Sequence, residues 1–383
     1  MGRLPAKPHT VFRDDAGALL YEEMLTRGGF AGAFSYLYHR YPTTPNLELT
    51  LSTRGYPAPE VDPEARLPLR RILHDTNKIP AGGQLIDVRV PLYSNADLNV
   101  YFACPSQSDD VYSCNGDGDE LLYFQTGGAK LESVFGWLTV HEGDYVWVPK
   151  GVIHRWHFDG AAKVLVFESP SGFVVPTDFR NPVGQLRMDA PYTHRDFRKP
   201  EGPIGAGAQE PTEMLTKRDG RFHRMLLPHS PMDVIGWEGF VYPWAFPIEN
   251  FQPKTSSVHL PPTIHTTFAA KGALICSFVP RLVDTHPQAI PCPYPHTSVD
   301  CDEIILYVRG NFTSRKGVGP GCISLHPAGV PHGPHPGAYE ASIGTTRTDE
   351  LAVMVDTYLP LQATTQARAL ESREYHASWV TPA

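Results

Sequence analysis

Apolar residues along this chain come in short runs, separated by turn-forming and polar residues, and the signal is that of many short strands. Two of the clearest runs open on an acidic turn: Gly118-Asp-Glu120-Leu-Leu-Tyr-Phe124 and Asp302-Glu303-Ile-Ile-Leu-Tyr-Val308. Two more alternate apolar with polar residues, with Tyr145 and Trp147 in one and Ile323 and Leu325 in the other. The 38 prolines and 33 glycines have no collagen-like period and favour short strands over long helices. The resulting map has an arm over residues 1–60, with a little helix between Glu22 and Thr26, and a first set of strands over 85–175. A polar, Pro/Gly-rich linker over 181–220 follows, then a second set of strands over 222–360. A tail from 361 contains a short helical stretch between Thr364 and Arg373.

The two strand sets carry the same signature. Gly143-Asp-Tyr-Val-Trp-Val-Pro149-Lys-Gly151-Val-Ile-His154 and Gly321-Cys-Ile-Ser-Leu-His-Pro327-Ala-Gly329-Val-Pro-His332 share four residues at identical spacing. Physically, a glycine opens a turn, a strand follows, and Pro-x-Gly makes a tight turn. The histidine then starts the next strand, where it can point into a barrel. With the acidic turn upstream of each copy, this layout resembles the two-motif cupin barrel, a double-sheet jelly roll. The fold expected is therefore all-β: two cupin barrels, an irregular N-terminal arm and few short helices. The domains expected are 1–180 (first barrel with its arm), 181–220 (linker) and 221–383 (second barrel).

Bulk properties narrow the function. With 383 residues the chain can bury two cores, and 41% hydrophobic with 19% charged residues suits a compact globular protein. The net charge of −8 is spread along the chain, with no basic stripe, so nucleic acid is not an expected partner. No apolar stretch is long enough for a membrane span and no signal peptide opens the chain, so a soluble, cytoplasmic protein is expected. The six cysteines contain no CxxC pair and predict no disulfide framework. Cys292 and Cys301 flank the site argued next, where small buried hydrophobe is the default role and metal ligation the alternative.

A non-haem metal site for oxygen chemistry needs two histidines and one carboxylate on one face of the ion. The second barrel offers His296, then Glu303 seven residues on, then His332 of the signature. The first barrel keeps Glu120 and His154, but the position seven before Glu120 is Ser113. Two ligands of three are insufficient, so that barrel is expected to be structural, with Trp147, Trp156 and Phe158 as core or interface residues. His259 has the chemistry to take a phenolic proton near neutral pH. His265 and His286 read as structural. His326 and His335 are placed to orient ligands, His326 the better of the two. Tyr294 and Phe312 are plausible pocket walls.

From residue 222 to 360 the chain resembles the homogentisate 1,2-dioxygenases. The matching segments run in order: Asp233-Val-Ile-Gly-Trp237 with Tyr242-Pro243, His259-Leu-Pro-Pro-Thr-Ile264, Ser277-Phe-Val-Pro-Arg281, Tyr294-Pro-His296, Glu303 with Arg309-Gly310, Ser324-Leu-His326 and Pro331-His332-Gly-Pro334. Gly28-Gly-Phe30-Ala-Gly32 with Tyr38-His39 is similar to the shorter bacterial branch. The resemblance implies Fe(2+) held by His296, Glu303 and His332, with His259 as acid/base residue. Tyr294, Thr297, Phe312, His326 and His332 would meet the substrate. It also implies a homo-oligomer that takes a small aromatic substrate and O2 and cleaves a 1,4-dihydroxylated ring, giving maleylacetoacetate from homogentisate. The chain departs from the longer eukaryotic-type enzymes in three places: the interval from His296 to Glu303 is one residue longer, Thr297 replaces an arginine, and Phe312 replaces a tyrosine. Two other classes remain as alternatives: a zinc or manganese isomerase or hydrolase, for which Ser298 offers no fourth ligand, and a non-catalytic bicupin.

Overall fold

The period-two alternation of the two acidic-turn strands organises the molecule. In the strand Asp119–Thr126, Leu122 and Phe124 point into one core, while Leu121 and Tyr123 point into another. In Asp302–Arg309, Ile305 and Tyr307 point inward, and Ile304, Leu306 and Val308 join the same core as Leu121 and Tyr123. Each barrel thus has its own interior, and the two sheets pack back to back through a shared core. The computed structural model describes residues 9–379 apart from 206, 261 and 313. Strands dominate its regular structure: the α-helices among the described residues, Ala338–Ala341 and Thr365–Ala369, are about one turn each.

The first cupin barrel is built from two seven-stranded sheets. One contains Asp144–Val148, Asp119–Thr126, Lys163–Ser169 and Asn99–Ala103 as neighbours, and the other contains Ala129–Ser133, His154–His157 and Tyr112–Asn115. The second barrel has a six-stranded sheet in the order Thr266–Ala270, Ala273–Phe278, Leu351–Thr357, Asp302–Arg309, Cys322–His326 and Ile72–Asp75. The signature glycines Gly143, Gly151, Gly321 and Gly329 have φ of 85°, 83°, 86° and 77°. That left-handed backbone is why glycine recurs at both positions of both copies.

The structure corrects the sequence map in three places. Within the expected linker, Thr212–Arg218 is a strand; it forms a hairpin with Arg221–Leu227 and pairs in parallel with Tyr112–Asn115 of the first barrel. The turn is Asp219-Gly220, both at positive φ (52° and 71°), the conformation a two-residue hairpin turn demands. The stretch between Glu22 and Thr26 is not helix but part of the strand Tyr21–Thr26, paired with Phe34–His39, which also pairs with Val234–Gly239. Five residues cannot sustain a helix nucleus alone, and an aromatic-rich partner strand is at hand. The ends of the chain also interleave. Ile72–Asp75 pairs with the signature strand Cys322–His326 of the second barrel, while Gln362–Ala363 pairs with Val90–Ser94 of the first.

His39 ties the three-stranded arm together. It is buried, with Nδ1 2.8 Å from Asp233 Oδ1 and Nε2 2.9 Å from Glu23 Oε2. Burial alone would lower its pKa, but the two carboxylates overcome that and raise it to about 9. A raised folded-state pKa stabilises fully below the ordinary value of 6.5, and the effect is lost as pH rises through about 9. The contribution is about 3 kcal/mol. Denaturant unfolding of wild type and His39→Gln should therefore show a large gap at about pH 6 that narrows by about pH 10. A gap independent of pH would count against a charged His39.

Candidate metal centre

His296, Glu303 and His332 come from three separate segments, and backbone pairing brings them together. His296 and His332 exchange backbone hydrogen bonds of 2.8 and 2.9 Å, which sets their rings 4.3 Å apart. Glu303, second residue of its strand, places Oε2 3.8 Å from His296 Nε2 and 3.7 Å from His332 Nε2. The donor atoms all lie within 4.8 Å of one another. His332 Nδ1 donates to the carbonyl of Val330 (2.9 Å) and His296 Nδ1 to that of Tyr294 (3.4 Å). Each bond fixes the tautomer that leaves the Nε2 lone pair facing the centre. His332 Nε2 is buried with no hydrogen-bond partner. A buried unsatisfied nitrogen is costly unless something coordinates it, so this donor set fits a divalent transition metal.

The support around Glu303 explains its charge state. Burial would raise its pKa, yet the three imidazoles gathered around it, His296, His326 and His332, hold it well below the usual carboxylate range. His326 Nδ1 donates to Glu303 Oε1 at 2.6 Å, and its Nε2 lies 3.4 Å from the Tyr375 hydroxyl. Burial, partly offset by Glu303, lowers the His326 pKa to about 4. His326 therefore orients a candidate ligand. Behind it, His335 stacks on Trp379 at 3.8 Å, and Nε2 bonds Ser378 Oγ at 2.7 Å. Sequence reasoning missed Tyr375 and Trp379; they arrive from the tail, and no spacing pattern links that tail to the barrel.

The other candidates divide. His259 Nδ1 donates to Asp284 Oδ2 at 2.8 Å, and its Nε2 lies 3.4 Å from the Tyr294 hydroxyl. Because the Tyr294 carbonyl also holds His296, the Tyr294–His296 segment joins the His259 pair to the centre. Phe312 is buried against Tyr307, ring centroids 4.8 Å apart, in the interior core. Thr297 is exposed beside His296. His265 is buried against Phe278, and His286 is exposed. All six cysteines are free and none belongs to the cluster.

The first barrel repeats this geometry without the chemistry. His154 pairs with Ser113 as His332 pairs with His296, and Val148 lies opposite Glu120 as His326 lies opposite Glu303. A protein cation is in place there instead. Arg89 Nη1 and Nη2 grip the two oxygens of Glu120 at 2.7 and 3.0 Å, both side chains buried. Nearby, Lys217 of the unforeseen hairpin pairs with Glu168 at 2.6 Å. Glu120 is pulled down to about 2 against the burial that would raise it, chiefly by Arg89.

Known proteins align with this picture. The family model described as homogentisate 1,2-dioxygenase N-terminal matches residues 90–248, and the C-terminal model matches 250–382. A Saccharolobus solfataricus protein, provisionally described as a dioxygenase, is 36% identical over 99% of this chain and 98% of its own. A homogentisate 1,2-dioxygenase of Bradyrhizobium diazoefficiens is 27% identical over 82% of this chain and 73% of its own. Among solved structures, a cupin 2 conserved barrel domain protein of Leptotrichia buccalis covers 75% of this chain and 96% of its own, at 9% identity and TM-score 0.36. Two family models that follow one another over residues 90–382, in the expected order, show that the chain belongs to the homogentisate 1,2-dioxygenase family and is a dioxygenase.

Proposed function

We propose that this protein is an iron(II)-dependent dioxygenase that opens the ring of homogentisate, to maleylacetoacetate, or of a closely related para-hydroquinone in aromatic catabolism. The observation that carries the reading is the convergent set of His296, Glu303 and His332, with His332 Nε2 buried and otherwise unsatisfied. These residues would hold the metal, leaving its other face open. When bound, iron(II) supplies adjacent positions for a ring hydroxyl and O2, so that the two reactants meet within one complex.

The chain's own groups do the rest. Asp284 accepts the Nδ1 proton of His259 and so presents Nε2 as the base for a phenolic proton. Tyr294, edge-on to His259 with ring centroids 5.5 Å apart, walls that side. His326 keeps Glu303 in one orientation. Homo-oligomerisation has an available surface: the edge strand Glu48–Leu51 exposes Leu49 and Leu51.

The test is oxygen uptake by protein reconstituted anaerobically with iron(II), with homogentisate, gentisate or hydroquinone added separately. About one O2 consumed per homogentisate is expected. Uptake with gentisate or hydroquinone alone would keep the chemistry and move the substrate. No uptake with any ring, despite bound iron, would sink the reading.

A further inference from the structure

The first barrel, which lacks the third metal donor, has a cavity of its own. It holds about 180 Å³ between the turn that follows the strand Val90–Ser94, the hairpin turn at Gly220 and the segment around Ala58. The rim is fixed by hydrogen bonds. Asn95 Oδ1 accepts from the N–H groups of Asp97 and Leu98 at 2.9 and 2.8 Å, and its Nδ2 donates to the Leu359 carbonyl at 2.8 Å. Asp117 accepts from the N–H groups of Asp219 and Gly220 at 2.7 and 2.8 Å. A pocket held in this way needs little ordering when a ligand enters.

The buried part of the lining decides what can enter. Glu168 and Lys217 are paired at 2.6 Å, and Glu168 also accepts from Asn99, Asn115 and Tyr56. Glu168 uses one N–H of Lys217; the other two have no acceptor among the described residues. Tyr101, in the same lining, is buried and its hydroxyl has no partner. Unused donors beside a cavity call for oxygen atoms from outside. Charge is already balanced: Lys217 answers Glu168, Arg89 answers Glu120, and Asp117 on the rim has Arg218 at 3.9 Å. A cation would meet Lys217 and an anion would meet Glu168, each giving up water without a counter-charge in return. An uncharged molecule with several hydroxyls avoids both penalties. Its oxygens accept from Lys217 and Tyr101, and its C–H groups lie against Leu98 and Pro170. The volume equals about six waters at roughly 30 Å³ each, room for about four or five carbons with their hydroxyls.

We infer that this cavity is a second ligand site, for a small neutral polyol or sugar. It shares no residue with the metal centre and does not depend on the ring-cleaving reading. Saturation-transfer NMR on the full chain, titrated with erythritol and with D-ribose, tests it. At least one probe should bind saturably with Kd of about 1 mM. Tyr101→Phe removes only the unpaired hydroxyl and should raise that Kd about 3- to 10-fold. Ala96→Trp, at an exposed position on the rim, should abolish binding by filling the entrance. His332→Ala should leave the Kd unchanged. No saturation by either probe at roughly 100 mM overturns the proposal. So does a Kd that either cavity variant leaves at the wild-type value, since binding would then lie elsewhere. Propionate or ethylammonium binding more tightly than both probes overturns the neutral class. Should Tyr101→Phe fail to fold, the exposed Ala96→Trp decides the matter alone.

Discussion

His332→Ala is expected to abolish stoichiometric binding of iron(II) and to cut oxygen uptake at least about 1000-fold, a larger loss than the 10- to 100-fold typical of removing a group that only orients a ligand. The geometry explains both the size of the effect and its selectivity. His332 Nε2 has no protein partner, so its contribution to the empty protein is small, and its removal deletes a buried unsatisfied atom along with some packing. With a metal present the same atom would be one donor of three, and the remaining pair, His296 and Glu303, would match the incomplete set that the first barrel carries in Glu120 and His154. Metal content after anaerobic dialysis, read beside unfolding of the metal-free proteins, separates the two roles. A variant that keeps one iron per chain, or that loses metal only because it no longer folds, would remove His332 from the centre.

What could be read from the chain follows the range of the physics. The three candidate donors were legible because a local pattern, Gly-x5-Pro-x-Gly-x2-His, fixes where a cupin histidine lies, and its repetition fixes the register of both barrels. The hairpin around Asp219-Gly220 was equally local, but the prolines and glycines just upstream drew the reading toward a linker; the Asp-Gly turn between two strand-like runs was the overlooked signal. The exchange of Ile72–Asp75 and Gln362–Ala363 between barrels is different in kind. Both are short strands whose partners lie hundreds of residues away, and nothing in a short strand names its partner. Tyr375 behind His326, Arg315 beside Gly333 and Arg89 on Glu120 were hidden because such side-chain pairings, 49, 18 and 31 residues apart, follow no fixed spacing.

Arg89 gives the second large effect, in stability. Arg89→Met should destabilise the protein by about 3–5 kcal/mol, the usual result of removing one partner from a buried ion pair. Glu120 is 2% exposed and would keep only the Tyr56 hydroxyl and the Asn115 amide, at 3.1 and 2.9 Å. The pH dependence carries a sign. In wild type the folded-state pKa of Glu120 is depressed to about 2, so its stabilisation is present above 4.5 and lost as pH falls through about 2. Without Arg89, burial dominates and lifts the Glu120 pKa above its unfolded value, so the variant should gain on wild type as pH falls from about 7 toward 4. Arg89→Met with Glu120→Gln should recover most of the loss at neutral pH, because an uncharged amide can use the same two partners. Urea unfolding of the four proteins measures this. A single variant as stable as wild type, or a double variant no better than the single, would refute the view that an arginine holds the first barrel together at the place where the second gathers its candidate metal donors.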